Sequence, residues 1–106
     1  MIHSDGLHQV ILYTNHQKPY LEGEIKELAE YGLRNLPTRY PGLKVLSHAV
    51  YPNRVEMLLD FQRLDEDVPR VLQSFKSEVR NLAKRKGFNE NHLWQWNYEE
   101  TWIAPA

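Results

Sequence analysis

Residues 50–61 read VYPNRVEMLLDF, in which Pro52-Asn53 has turn chemistry and opens a run of alternating side chains. Successive side chains on a β-strand point to opposite faces, so one face here carries only apolar residues: Val55, Met57, Leu59 and Phe61. The other face carries Arg54 and Glu56, about 6.5–7 Å apart along the strand. The pattern predicts a strand that has an apolar face and, on its other face, a charged pair.

The segments around this strand alternate between strand and helix patterns. Residues 7–14 and 43–50 are rich in strand formers, and the short link at 51–53 favours antiparallel neighbours. Apolar residues recur at helical spacing over residues 21–36, where Pro37 is expected to end the helix. A second helical stripe begins at residue 68, after an N-cap at Asp65 or Asp67, and ends at Gly87. Residues 93–103 form the last predicted strand.

The resulting order is strand, helix, strand, strand, helix, strand. It predicts an α+β, ferredoxin-like βαββαβ fold, with one four-stranded antiparallel sheet and two helices on one face. A chain of 106 residues suits a single domain with one core. The chain has no cysteine, which excludes disulfides, thiol catalysis and thiolate metal sites. No apolar run approaches the ~20 residues of a membrane helix, so we expect a cytoplasmic protein without membrane contact.

Charge is unevenly distributed along the chain. The formal net charge is −1, yet residues 68–87 hold six basic residues against Glu78 alone. This surplus is compatible with a basic binding face, and equally with an ordinary solvated helix face. The five histidines, including His48, show no spacing typical of metal ligands, although His48 could approach Glu56 from the neighbouring strand.

The segment PNRVEMLL at 52–59 resembles a known family signature. Single-tyrosine transposases of the HUH superfamily, which include small insertion-sequence and REP-associated tyrosine transposases, carry Pro-Asn-His-hydrophobic-His-hydrophobic-Leu-Leu on a central strand. Phe75-Lys76, Leu93-Trp94-Gln95 and Tyr98 also match family features, and the similarity extends over roughly residues 8–103. The resemblance implies the same ferredoxin-like fold, in one HUH-type transposase-like domain over residues 1–106 that is short at its C-terminus.

The resemblance also indicates which groups are changed. Arg54 and Glu56 stand where the family has two histidines that hold a divalent metal on a DNA phosphate. The family's nucleophile is a tyrosine on a helix after the fourth strand, and none of the six tyrosines here occupies that place. We therefore expect no catalytic residue, no metal and no cofactor. Three interpretations of the degenerate pair stay open: an ion pair, weak metal binding through Glu56, or a phosphate held directly by Arg54.

The predicted function is that of a catalytically inactive relative of the DNA-transposition proteins of mobile elements, which binds single-stranded or hairpin DNA. The expected DNA contacts are Arg54, Lys76, Arg80, Lys84, Arg85 and Lys86. One alternative is a dimeric scaffold or regulator without DNA binding, since the resemblance implies a homodimer. Another is an active nickase with an altered metal site. The three tryptophans, Trp94, Trp96 and Trp102, are expected in the core or an interface, with base stacking as the alternative.

Overall fold

The computed structural model describes residues 6–61 and 67–104. The strands are β1 Leu7–Tyr13, β2 Lys44–Tyr51, β3 Arg54–Asp60 and β4 Glu99–Ala104; the helices are α1 Gly23–Arg39 and α2 Val68–Arg85. A short 3-10 turn covers Asn15–Gln17. This βαββαβ order confirms the predicted α+β, ferredoxin-like arrangement. The candidate N-cap Asp65 lies outside the described residues.

The four strands form one antiparallel sheet in the order β2-β3-β1-β4. The key strand β3 is central, and the predicted Pro52-Asn53 turn joins it to β2. Glu56 pairs with Ile11 on β1 and with Ala49 on β2. His48 pairs with Met57, so it lies on the face opposite Glu56, and the suggested approach of these two side chains is wrong.

The hydrophobic core lies between the sheet and the two helices. The predicted apolar face of β3 is fully buried there, and so is most of the α2 stripe. The two helices run antiparallel, since Arg39 near the end of α1 bonds Ser74 and Glu24 near its start pairs with Lys86. Gly32 permits their close approach, because a Cβ there would lie 3.1 Å from the Phe75 ring. We call the sheet face opposite the helices the outer face.

The ends of α2 follow the sequence prediction. The Asp67 side chain accepts a hydrogen bond from the Arg70 N–H at 2.8 Å and caps the N-terminus. Gly87 has a φ of 101°, and the N–H groups of Gly87 and Phe88 bond the carbonyls of Lys84 and Ala83. This pair of bonds is the Schellman arrangement that closes a helix C-terminus. Neither described helix is both long and apolar enough to span a membrane.

Two predicted boundaries are wrong. Helix α1 continues through Pro37 to Arg39: Pro37 lacks the N–H that would bond the Leu33 carbonyl, yet the last turn closes, with the Tyr40 N–H bonding the Leu36 carbonyl oxygen at 2.9 Å. Strand β4 begins at Glu99 rather than near residue 93. Trp94 makes only an isolated bridge to Thr14, and the chain leaves the sheet between that bridge and β4.

Candidate nucleic-acid interface

The degenerate motif pair lies on the outer face of the sheet. The Arg54 guanidinium donates to Glu56 Oε2 at 2.7 Å and to Asn53 Oδ1 at 3.1 Å, and it stacks 4.0 Å above the Tyr51 ring. The hydrogen bond that Arg54 donates to Glu56 is the main cause that raises the pKa of Arg54. Of the three interpretations of the Arg54 and Glu56 pair, the ion pair is the one present in the structure.

A divalent cation does not fit the residues present at this position. The Glu56 carboxylate already accepts from Arg54, whose permanent positive charge would repel a metal ion. No group of three His, Cys, Asp or Glu side chains gathers at ligand spacing within residues 6–61 and 67–104. We therefore derive no chemical step through a metal here.

Tyr13 is the tyrosine across the ladder from Arg54. A hydrogen bond with Glu99 is the main cause that raises its pKa, and burial and the negative charge of Glu99 act in the same direction. A raised pKa keeps the phenol protonated, whereas a nucleophilic side chain is activated by a lowered pKa or an adjacent base.

The six predicted DNA-contacting cations divide among different surfaces. Arg54 is on the outer face, whereas α2 packs on the other side of the sheet. Positions 76, 80 and 84 lie on one side of α2, because residues three or four apart on a helix are neighbours. Arg85 lies on the same side of α2 as Ser74 and Glu78, which contact Arg39 on α1. Lys86 pairs with Glu24, 3.7 Å away, in an exposed pair.

A groove lies between α2 and the segment that follows it. Its volume is about 390 Å³. We call it the Trp96 groove, and its lining residues are Asn15, Gln73, Lys76, Ser77, Arg80, His92, Leu93, Trp94, Gln95 and Trp96. These residues include two basic side chains from α2 and no carboxylate. The groove therefore combines positive charge with an aromatic side chain.

Lys76 fastens the segment at 94–96 to α2. Its ammonium donates to the Gln95 carbonyl oxygen at 2.9 Å and lies 3.5 Å from the Trp96 carbonyl oxygen. In return, Trp94 Nε1 donates to the Lys76 carbonyl oxygen at 3.1 Å. Burial lowers the pKa of Lys76. These contacts hold the segment against α2 at the point where the chain leaves the sheet, after the isolated Thr14–Trp94 bridge.

The three tryptophans have different environments. Trp94 is 8% exposed and packs against Phe75, with ring centroids 5.9 Å apart, as the core prediction has it. Trp102 on β4 is 55% exposed, and Trp96 is 95% exposed. Trp96 also borders a second depression of about 310 Å³, next to Tyr98 and Pro69. Trp96 is thus not a core residue, and the sequence reasoning missed its place beside Lys76 and Arg80.

The turn after β1 supplies the far wall of the groove. Thr14 is buried, and its hydroxyl donates to the Lys18 carbonyl oxygen at 2.6 Å. His16 and Gln17 have φ angles of 55° and 54°, a left-handed region that non-glycine residues seldom adopt. The Asn15 N–H bonds the Leu93 carbonyl oxygen at 2.9 Å, which joins this turn to the segment before Trp94. The wall is thereby held in a defined conformation.

The chain is similar in structure to known transposases. No family model matches the sequence, and no curated protein does. Among solved structures, the chain is similar to a candidate transposase from Deinococcus radiodurans R1, with 19% identity, a TM-score of 0.77, and coverage of 92% of this chain and 78% of that one. It is also similar to a REP-associated tyrosine transposase bound to a REP hairpin, with 11% identity and a TM-score of 0.79. This chain shares its fold with both proteins.

The extent of the likeness sets what it can establish. The match to the REP-associated transposase covers all of this chain but 61% of that protein, so the chain spans about three fifths of its length. At these identities the likeness establishes the fold that the PNRVEMLL resemblance implied, and no more. What individual side chains do on the transposase fold has to be argued from their own contacts.

Proposed function

We propose that this chain is a cytoplasmic, transposase-related protein that binds single-stranded or hairpin DNA without cutting it. The observation that carries the proposal is the alignment of Lys76, Arg80 and Lys84 along one side of α2, on a transposase fold. A protein of similar fold is bound to a hairpin, which supports DNA as the partner. Of the six cations expected to contact DNA, these three form the proposed centre of the surface.

Electrostatics supports a local rather than a global attraction. The chain as a whole carries a formal charge of −1, so DNA would not be drawn to it from all sides. No carboxylate lines the Trp96 groove, and Arg80 makes only a long 3.4 Å bond to Asn81 among the described residues. The Arg80 guanidinium is therefore available for a phosphate. Arg54 contributes less, because Glu56 and Asn53 already accept its hydrogen bonds.

The test is a titration of hairpin DNA with a single-stranded flank at several salt concentrations. Three or four phosphate contacts predict a slope of log K against log salt of about −2 to −3, or roughly a 15- to 60-fold loss of affinity between about 50 and about 200 mM salt. Fluorescence anisotropy of labelled DNA measures this directly. Binding that is absent at low salt, or that does not respond to salt, would reject the proposal.

The proposed lack of cleavage is tested with Mn²⁺. The Arg54–Glu56 ion pair supports it, because the Glu56 carboxylate already engages a permanent cation, which would repel a metal ion. We expect no strand cleavage of a labelled hairpin in a gel assay with Mn²⁺ present, for the native chain and for Glu56→Ala alike. Cleavage that requires Mn²⁺ and is lost in Glu56→Ala would instead favour the nickase with an altered metal site.

A second candidate function rests on the edge of the sheet. β4 is an edge strand, and Trp102 and Ile103 on it are both about half exposed. An apolar, aromatic edge strand suits pairing with a second copy, which is what a dimeric scaffold or regulator would use. Sedimentation velocity over a range of concentrations decides whether the chain dimerises. A dimer that fails to bind DNA at low salt would favour this candidate.

A further inference from the structure

Trp96 is an aromatic side chain that the fold does not use. Buried aromatic side chains contribute strongly to a core, yet this indole is 95% exposed and packs against none of the core cluster. Its backbone is nevertheless held firmly. The Gln95 N–H bonds the Tyr13 carbonyl oxygen at 2.9 Å, and the Lys76 ammonium reaches the carbonyls of Gln95 and Trp96. The indole is thus displayed from a fixed segment of chain.

The neighbours of the indole are suited to one kind of ligand. Arg80 lines the groove beside Trp96, and Lys84 follows one helical turn later on the same side of α2. Asn15 from the turn after β1 and His92 from the segment before Trp96 also line the groove, and both are polar without carrying a carboxylate. The ligand would thus meet an indole face, two cations one helical turn apart and polar side chains. These match the three parts of a nucleotide strand: the base plane, the phosphates and the base edge.

We propose that Trp96 is a stacking platform for an unpaired base, with Arg80 and Lys84 holding the adjoining phosphates, so that the groove prefers single-stranded to duplex DNA. The inference rests on the proposed function and adds the part of the DNA that the groove recognises. A duplex keeps its bases stacked on each other and presents only edges and phosphates, whereas a single strand offers a free π-face. The groove volume, about 390 Å³, falls within the roughly 300–1,000 Å³ of small-molecule sites.

The experiment compares Trp96→Ala, Trp96→Phe and Trp102→Ala with the native chain. Trp102→Ala removes an exposed indole on β4, away from the groove, and serves as the matched control. The DNA probes are an oligothymidylate and a blunt duplex of equal phosphate number. For the oligothymidylate, Trp96→Ala should lose roughly 5- to 150-fold in affinity, the usual range for removing one stacked base contact. Trp96→Phe should keep most of the affinity, and Trp102→Ala should match the native chain.

The outcomes separate this inference from the proposed function. If oligothymidylate binding depends on salt but is unchanged in Trp96→Ala, the stacking site is rejected and DNA binding stands. An equal loss for oligothymidylate and blunt duplex would also reject it, because a duplex has no unstacked base to lose. If no DNA binds the native chain at low salt, both proposals fail. Circular-dichroism melting of each variant shows whether its fold is intact.

Discussion

Phe75→Ala is expected to lower the free energy of unfolding by about 3–5 kcal/mol. Phe75 is fully buried, packs against the Trp94 ring and lies against Gly32, where α1 and α2 come closest. The large cost arises because removing the ring loses its transfer free energy and leaves a cavity that rigid neighbours fill only in part. A small domain has about 5–15 kcal/mol of stability in total, so this one change removes a large share of it.

Urea denaturation followed by circular dichroism measures this effect. The urea concentration at the midpoint should fall, while the slope of the unfolding free energy against urea should stay similar. An unchanged slope indicates that stability changed and that the surface exposed on unfolding did not. Trp96→Ala is the matched control: it also removes an aromatic ring, but from an exposed position, and should change stability by no more than about 0.5 kcal/mol. Equal destabilisation by the two variants would contradict the assignment of Phe75 to the core and Trp96 to the surface.

Much of the fold could be predicted because its signals are local. The alternation in VYPNRVEMLL sets both faces of β3, and Pro52-Asn53 marks the hairpin that joins it to β2. The cap at Asp67 and the left-handed Gly87 each act within a few residues of the chain. Pro37 misled because a proline weakens a helix without always ending it, and the last turn of α1 closes beyond it through the Tyr40 N–H and the Leu36 carbonyl oxygen.

The candidate site was less predictable because it depends on distant contacts. Helical spacing alone could have shown that Lys76, Arg80 and Lys84 lie on one side of α2 and that Arg85 lies on another. Strand alternation left the Arg54–Glu56 ion pair open as one of three interpretations, but no local pattern could show that the chain around Leu93 would return beside the turn at Asn15. Pairing of that kind is decided by the tertiary fold rather than by the residues on either side.

The tryptophan pair illustrates the same limit. Trp94 and Trp96 are two residues apart, so a continuous strand would place both on one face. Instead one is in the core and the other is almost fully exposed. Where the chain leaves the sheet after the Thr14–Trp94 bridge, Lys76, nearly twenty positions earlier, bonds the carbonyl of Gln95. The residue that holds this segment against α2 is therefore the same one that supplies positive charge beside Trp96.

The charge-reversed variant Arg80→Glu/Lys84→Glu is expected to lose most DNA affinity. Each phosphate contact has a salt exponent of about 0.7–0.9, so two lost contacts correspond to roughly a 25- to 60-fold loss at about 0.1 M salt. Repulsion between the new carboxylates and phosphate adds to that loss. The slope of log K against log salt should also become shallower, by about 1 for each lost contact. Anisotropy titration with the flanked hairpin measures both quantities.

The control is Arg85→Glu/Lys86→Glu, which makes the same change in net charge at the same end of α2. Lys84, Arg85 and the C-cap Lys86 lie at the C-terminus of α2, where the helix dipole disfavours a carboxylate, whereas Arg80 lies before the last turn, so the control carries the larger dipole cost. They differ in position: the first lies along the Trp96 groove, whereas Arg85 is on the side of α1 and Lys86 already pairs with Glu24. Equal losses would mean that DNA responds to the overall charge of the helix. A loss confined to Arg80→Glu/Lys84→Glu would locate the phosphate contacts on the Arg80 side of α2, because the change in net charge is the same in the two variants and the face of the helix differs.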